Sequence, residues 1–290
     1  MNKTHNPYAK ALDGLEIQDP VTSFFDFCIE REKVRKKRDR GLPPPWTDDP
    51  IFRKARFLNV FREDDRGSKS ILRFAKNLNK DLETLIQALF FARWCNKQET
   101  LDDISTNILS NPKKLRDLIH SNESWCNTTA YPVERIYWKE KEYSRADAAA
   151  ILFFKIKEPL AKMIQHADGN IIEATNSVNN KFMMSNDFPI FMAITDIAWF
   201  RPDVINPESP VPTGIGAVAY LDRLQEYLGM DNHKLTCEKM IELQKEYWPE
   251  AKREFHPIDI EYLSCECRKY HSYLNKTKLF EGKNIFTPKI

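Results

Sequence analysis

A segment near the C-terminus combines a carboxylate, a lysine and a tyrosine at a spacing that can support acid–base chemistry. It reads Cys265-Glu266-Cys267-Arg268-Lys269-Tyr270. On a helix, Glu266, Lys269 and Tyr270 share one face, because residues three and four positions apart are neighbours. A carboxylate one turn from a lysine can accept and return protons. An ordinary ion pair between Glu266 and Lys269 explains the same spacing.

A second segment mixes tryptophan, asparagine, arginine and aspartate more densely than a plain surface would. Its two parts are Trp46-Thr47-Asp48-Asp49-Pro50 and Arg56-Phe57-Leu58-Asn59-Val60-Phe61-Arg62-Glu63-Asp64-Asp65-Arg66. An arginine–carboxylate pair beside aromatic rings suits the binding of a base or a phosphate. The structural alternatives are a helix cap at Thr47 or Asp48 and a surface ion pair between Arg62 and Asp65.

The third segment, Pro212-Thr213-Gly214-Ile215-Gly216-Ala217, holds the closest glycine pair among the eight glycines of the chain. Two glycines around Ile215 allow a tight hairpin between helices, with Ile215 plugging the core. Because glycine has no side chain, the backbone here can approach a DNA phosphate closely. The N-terminus of the following helix would attract that phosphate through its free N–H groups and its dipole. An ordinary glycine-containing loop is the alternative. A dinucleotide-binding reading fails, because no strand precedes the glycines.

The elements that must position these segments are predicted to be helices, since nearly every apolar stretch has helical spacing. Thr22 or Ser23 is predicted to cap a first helix that begins at Phe24 and stops at Gly41. A later helix starts at Asn111-Pro112, and a buried helix follows Asp187. Another runs from Ala146 and breaks at Pro159. A short sheet is possible between Tyr131 and Tyr143.

We therefore predict an all-α fold of about ten helices with a helix-hairpin-helix element. A single helical domain is expected over residues 23–275, with the hairpin at about 210–228. Residues 1–22 are predicted to be a flexible lead, and residues 276–290 a tail.

Composition limits the class of protein. With 42% hydrophobic and 30% charged residues the chain is globular, and its net charge of only +2 does not by itself indicate a nucleic-acid binder. It contains no apolar run long enough to span a membrane, and its first residues are polar. Six scattered cysteines favour a reduced environment. We expect a soluble, intracellular protein that is not secreted and has no membrane partner.

Several kinds of chemistry have no motif in the sequence. There is no phosphate-binding loop of a P-loop kinase, no metalloprotease motif and no nucleophile elbow. Cys265, Cys267 and His271 would be poor zinc ligands, because side chains two positions apart on a helix diverge. We therefore expect no metal, no iron–sulfur cluster, no nucleotide-binding loop and no other cofactor.

Taken together, the segments resemble one family. The stretches 45–51 and 56–65 resemble the opening signature of the helical domain of 5-hydroxymethyluracil (5-hmdU) DNA kinases. The same domain type occurs in the related α-glutamyl/putrescinyl thymine pyrophosphorylases, or amino acid:DNA transferases, of bacteriophages. Stretch 191–197 resembles the central helix of the family, 214–217 its glycine hairpin and 263–270 its C-E-x-x-K-Y signature. The resemblance covers about Phe24 to Leu274.

The resemblance implies a fold similar to helix-hairpin-helix DNA glycosylases and a role in building modified bases. In such pathways 5-hydroxymethyluracil in DNA is phosphorylated, and its methylene then receives an amine or another nucleophile. The missing phosphate loop favours a transferase, or a non-catalytic DNA-binding module, over a kinase. A glycosylase is a further alternative, although the context of Asp231 does not match the aspartate of that fold.

The resemblance also suggests roles for individual residues. Arg62 would hold the leaving phosphate, and Glu266 or Asp196 would be the general base, with electrostatic help from Lys269. Asp65 is a further acidic candidate. The remaining DNA- or phosphate-binding candidates are Asn59, Trp46, Thr213, Gly214, Gly216 and Ala217. The expected partners are double-stranded DNA with modified thymine, a separate P-loop kinase and an amine-type donor, in the cytoplasm of a bacterium or a phage-infected cell.

Overall fold

Helices make up most of the residues that the computed structural model describes, which are 17–77, 81–128 and 135–276. In chain order they are α1 Pro20–Asp39, α2 Pro50–Lys54, α3 Arg66–Asn77, α4 Leu82–Cys95, α5 Gln98–Asp102, α6 Thr106–Leu109, α7 Pro112–His120, α8 Arg145–Asp147, α9 Phe153–Lys155, α10 Lys157–Gln165, α11 Ile171–Phe182, α12 Phe188–Phe200, α13 Ile215–Leu228, α14 His233–Tyr247 and α15 Pro257–Leu274. A 3₁₀ turn covers Arg62–Asp64, and a π-helix covers Ala148–Leu152. The predicted all-α fold is confirmed.

The first helix begins earlier than its sequence suggested. Its cap is Asp19, whose carboxylate accepts hydrogen bonds from the backbone N–H groups of Val21 and Thr22 at 3.0 and 2.9 Å. Pro20 occupies the first helical position, where a missing N–H costs nothing. The prediction that Thr22 or Ser23 caps this helix is therefore wrong. Its end agrees with the prediction, since Gly41 follows in the left-handed region at φ 70°.

The region after α7 differs from its prediction in one respect. Strands β1 Ile136–Trp138 and β2 Lys141–Tyr143 form a small antiparallel hairpin, within the range predicted for a short sheet. Beyond it, the chain runs through α8, the π-helix and α9 into α10. The predicted break before a helix through Leu160 is present, but it falls at Ile156, between α9 and α10, and Pro159 lies in the first turn of α10. A proline is tolerated there because first-turn N–H groups have no partner within the helix.

The described chain divides into two compact units. Asp65–Pro210 forms the second unit, and the residues on either side of it, up to Asp64 and from Val211, form the first. The predicted domain, residues 23–275, covers the second unit and most of the first. None of the described helices is long and apolar enough to cross a lipid bilayer.

The second unit is built around two apolar helices that each carry one buried charged residue. Arg93 of α4 is 1% exposed and Asp196 of α12 is 0% exposed. The guanidinium contacts both carboxylate oxygens, with Nη2 2.6 Å from Oδ1. Buried charges persist only when they are paired in this way, so the two residues hold α4 and α12 in register.

Candidate functional site

Helix α15 brings the three sequence segments together in the first unit. The backbone N–H of His256 donates to Asp259 Oδ2 at 2.8 Å, and Pro257 starts the helix. Most of the side chains of α15 are buried, because α1, α13 and α14 all pack against it. Residues 56–64 and 213–217 both contact it through hydrogen bonds, so one helix positions all three candidate segments.

Glu266 and Lys269 form the predicted ion pair, and both side chains also bind residues 56–58 to α15. Lys269 Nζ lies 3.7 Å from Glu266 Oε2, and the same oxygen accepts the N–H of Leu58 at 2.9 Å. Lys269 also donates to the carbonyl of Arg56 and lies 4.9 Å above the ring of Phe57. Glu266 is only 7% exposed, so this is not an open surface pair. A proton-transfer role for Glu266 stays a prediction.

Asn59 and Arg62 both lie against Tyr262 of α15. The amide oxygen of Asn59 accepts from Arg31 at 2.6 Å, and its Nδ2 donates to the carbonyl of Asp64 at 2.9 Å. The Tyr262 hydroxyl donates to the backbone carbonyl of Asn59 at 3.0 Å. The guanidinium carbon of Arg62 lies 5.5 Å from the centre of the Tyr262 ring, a cation–π distance.

An ion network fixes the 3₁₀ turn that carries Arg62. Arg253 Nη2 lies 2.8 Å from Glu63 Oε2, and Arg253 Nη1 lies 2.6 Å from Asp259 Oδ2. Lys252 Nζ is 2.6 Å from Asp64 Oδ2. Burial acts to raise the pKa of Glu63, but the hydrogen bonds and charge of Arg253 outweigh it and lower that pKa to about 2. Glu63 is therefore charged at neutral pH, and the turn is firmly anchored.

The two glycines allow the start of α13 to approach α15 closely. The N–H of Gly214 donates to Glu261 Oε1 at 2.9 Å, and a Cβ at Gly214 would lie 2.9 Å from that oxygen. A Cβ at Gly216 would lie 2.6 Å from Cys265 Sγ. Arg268 Nε donates to the carbonyl of Gly216 at 2.9 Å. Glycine is favoured here by the space available and not by its backbone conformation, since Gly214 has an ordinary φ of −70°.

The side chain of Ile215 does not fill the core as predicted. Ile215 is the first residue of α13 and is 58% exposed, so the expectation that it fills the core is wrong. Ala217 is buried in its place, two positions along the helix. The segment before Gly214 contains no helix back to the end of α12 at Phe200. A helix-hairpin-helix element is not confirmed. Thr213 contributes its hydroxyl, 3.2 Å from Nδ1 of His233.

Glu261 is a functional candidate that the sequence analysis missed. Burial raises the pKa of this carboxyl to about 7, although the N–H of Gly214 and the charge of Arg62 act to lower it. A carboxyl group with a pKa near neutrality can both donate and accept a proton at physiological pH. The available signal was a carboxylate inside an apolar run, between Ile260 and Tyr262.

The remaining predicted residues lie elsewhere. Asp196 and Asp65 belong to the second unit. Both oxygens of Asp196 contact Arg93, and Asp65 directly precedes α3, where its carbonyl accepts the N–H of Lys69 at 2.9 Å. Trp46 belongs to the first unit, is buried, and donates its indole N–H to the carbonyl of Leu42 at 2.7 Å. A catalytic role for either aspartate, and a DNA-binding role for Trp46, stay predictions.

Comparison with known proteins yields one family. The family model described as 5-hmdU DNA kinase, helical domain, matches residues 18–278. The match spans both compact units and all three segments gathered by α15. No curated protein and no solved structure matches the chain.

Proposed function

Since the chain belongs to the family of the helical domain of 5-hmdU DNA kinases, which links it to thymine hypermodification, we propose that it is a transferase acting on a phosphorylated 5-hydroxymethyluracil base in DNA. The observation that carries this proposal is that α15 supplies two carboxylates, Glu261 and Glu266, and a cation, Lys269, while a second cation, Arg62, lies against its Tyr262 ring. Such a set contains the groups that a substitution at a phosphorylated methylene requires.

The proposed reaction replaces the phosphate or pyrophosphate on the 5-methylene with an amine. The bond between the methylene carbon and the phosphate oxygen breaks, and its electron pair leaves with the phosphate. The amine nitrogen forms a new bond to that carbon and passes one proton to a carboxylate. A base within duplex DNA must leave the stack before enzymatic groups can surround its 5-substituent.

The roles follow from charge and burial. Arg62 would stabilise the departing phosphate, because a guanidinium group can donate two parallel hydrogen bonds to phosphate oxygens. Lys269 would add positive charge. Glu266 remains the predicted base. Glu261 competes for that role, because burial places its pKa at about 7, where a general base is most effective.

A second candidate function is a non-catalytic module that presents DNA to a separate kinase. The observation that favours it is that the candidate side chains are mostly buried and serve the fold. Asn59 bonds to Arg31 and Asp64, and Glu266 bonds to the backbone at Leu58. Groups engaged in this way can maintain a DNA-binding shape without chemistry.

Mass spectrometry of nucleosides separates the two functions. The full chain is incubated with duplex DNA that carries phosphorylated 5-hydroxymethyluracil and with a mixture of amines and amino acids. DNA with ordinary thymine serves as the control. The transferase proposal predicts a heavier nucleoside only from the phosphorylated DNA. Binding of both DNAs with no change in nucleoside mass would contradict it and favour the module.

A further inference from the structure

Two cysteines of the second unit lie on neighbouring stretches of backbone, although they are far apart in the sequence. Cys95 is the last residue of α4 and is buried, whereas Cys126 lies on the segment after α7 and is partly exposed. The backbone N–H of Asn127 donates to the carbonyl of Cys95 at 2.8 Å, and Cys95 Sγ lies 3.2 Å from the carbonyl oxygen of Trp125. Cys95 is therefore bonded to both neighbours of Cys126.

Arg145 of α8 holds the same two stretches together. Its guanidinium donates through Nε to the carbonyl of Trp94 at 2.9 Å and through Nη2 to the carbonyl of Asn127 at 3.0 Å. One of these carbonyls precedes Cys95 and the other follows Cys126. Because hydrogen bonds tie the two stretches at several points, the fold keeps the cysteines close without a bond between their sulfurs.

Covalent geometry limits the distance between the two cysteines. An α-carbon lies about 2.4 Å from its own carbonyl oxygen and from the nitrogen of the next residue. With the 2.8 Å hydrogen bond from Asn127 to Cys95, these lengths keep the α-carbons of Cys95 and Cys126 within about 8 Å of each other. Disulfides join α-carbons about 4.4–6.8 Å apart, so a bond here needs a backbone shift of at most about 1 Å. Cys95 Sγ already points to the peptide bond that precedes Cys126.

Exposure and nearby charge decide which thiol reacts first. Cys126 is the more exposed of the two, so a reagent in solution can reach it. Burial raises the pKa of the Cys126 thiol, but the positive charges of Arg145 and Lys97 act to lower it. Burial raises the pKa of Cys95 to about 12, and the charge of Cys126 adds to that effect. Cys126 is therefore the first thiol to react, and Cys95 is the one that completes a disulfide.

We propose that Cys95 and Cys126 are a site of reversible oxidation, with a low-molecular-weight disulfide such as oxidised glutathione as the oxidant. The Cys126 thiolate attacks one sulfur of that disulfide, whose sulfur–sulfur bond breaks, and one thiolate leaves with the electron pair. Cys95 then loses its proton to solvent and attacks the sulfur of Cys126, which releases the second thiolate. Two protein thiols are oxidised to one disulfide, and the oxidant is reduced to two thiols.

The cross-link joins the end of α4 to the segment that follows α7, within the second unit. It lies two residues beyond Arg93, whose buried ion pair with Asp196 holds α4 and α12 in register. Oxidation therefore stabilises the second unit at the end of its central helix. The inference is independent of the proposed transfer reaction, because none of the four groups assigned to that reaction belongs to this unit.

Peptide mass spectrometry on the full chain tests the inference. The reduced protein is incubated with oxidised glutathione at about pH 8, where more of a thiol is ionised than at neutral pH. Remaining thiols are blocked with N-ethylmaleimide before digestion. We expect a pair of peptides joined through Cys95 and Cys126, which dithiothreitol separates. Cys95→Ala should trap Cys126 as its mixed disulfide with glutathione, and Cys126→Ala should leave Cys95 as a thiol. Cys265→Ala removes a partly exposed cysteine of the first unit and should leave the linked pair unchanged.

The thermal midpoint of the cross-linked wild type should rise by about 5 °C or more, because the bond closes a loop of about 30 residues in the unfolded chain. Circular dichroism of all variants verifies that they are folded. Three results would overturn the proposal: no linked pair from wild type, an equal yield of that pair in about 6 M urea, where the fold no longer positions the thiols, or a midpoint that does not rise. The nucleoside experiment is unaffected by any of them, so the two proposals fail separately.

Discussion

Replacing Gly216 with alanine is expected to destabilise the protein through a single contact. The new Cβ would lie 2.6 Å from Cys265 Sγ, well inside van der Waals contact. Overpacking of this kind costs about 1–3 kcal/mol. Alanine favours helix over glycine by at most about 1 kcal/mol, and less at the second residue of a helix. We therefore expect the free energy of unfolding to fall by about 1 kcal/mol, because rotation of Cys265 relieves only part of the strain.

Urea denaturation of four proteins measures this effect as a double-mutant cycle: wild type, Gly216→Ala, Cys265→Ala and the double variant. Without Sγ, the nearest atom to the new Cβ is Cys265 Cβ at 3.6 Å, an ordinary contact. Gly216→Ala should then be neutral or stabilising, with a coupling energy of about 1–2 kcal/mol.

Gly67→Ala provides the matched control. Gly67 is also the second residue of a helix, and its Cβ would lie 3.4 Å from the Asn96 side chain. We expect this variant to be as stable as wild type or slightly more stable. The reasoning is refuted if Gly216→Ala retains full stability, or if Cys265→Ala fails to rescue it. DNA affinity of the folded Gly216→Ala protein then tests separately whether the glycine segment also contacts phosphate.

Two further perturbations concern buried charges. Folding raises the pKa of the Glu261 carboxyl from its usual 4.5 to about 7, so the folded state binds this proton more tightly than the unfolded state does. As the pH rises from about 4.5 to about 7, wild type should therefore lose up to about 3 kcal/mol of its free energy of unfolding relative to Glu261→Gln. Urea denaturation across the window measures the difference, and a constant difference would contradict the burial argument. Asp196→Asn should lower the free energy of unfolding by about 3–5 kcal/mol, because it leaves Arg93 buried without its charge partner. An unchanged thermal midpoint would show that the pair is dispensable for the fold and return Asp196 to the catalytic candidates.

The helical fold was predictable because its signals are local. Asn111 caps α7 by accepting the N–H of Lys114 at 3.1 Å, and Pro112 starts the helix as its sequence indicates. Helix α12 begins at Phe188, directly after Asp187, as predicted. Cap residues and prolines act within one turn, so the sequence alone contains the information that sets these boundaries.

The site was only partly predictable, because its decisive features depend on packing between distant segments. Glu266 and Lys269 were found from their spacing, but their contacts with residues 56–58 join positions about two hundred residues apart. Ile215 is the first residue of α13 and its side chain is exposed, whereas the hairpin prediction placed that side chain in the core. Glu261 was missed because its raised pKa arises from burial, which the sequence does not reveal.

Single-turnover formation of the modified nucleoside tests most directly whether the α15 carboxylates perform chemistry. Wild type, Glu266→Gln and Glu261→Gln are each incubated in excess over phosphorylated 5-hydroxymethyluracil DNA with the amine that wild type uses. Melting temperature and DNA affinity are measured on the same preparations. We expect Glu266→Gln or Glu261→Gln to slow product formation by about 10²-fold or more, with DNA affinity retained. Wild-type rates in both variants would contradict the proposed transferase site and leave α15 with a structural role alone.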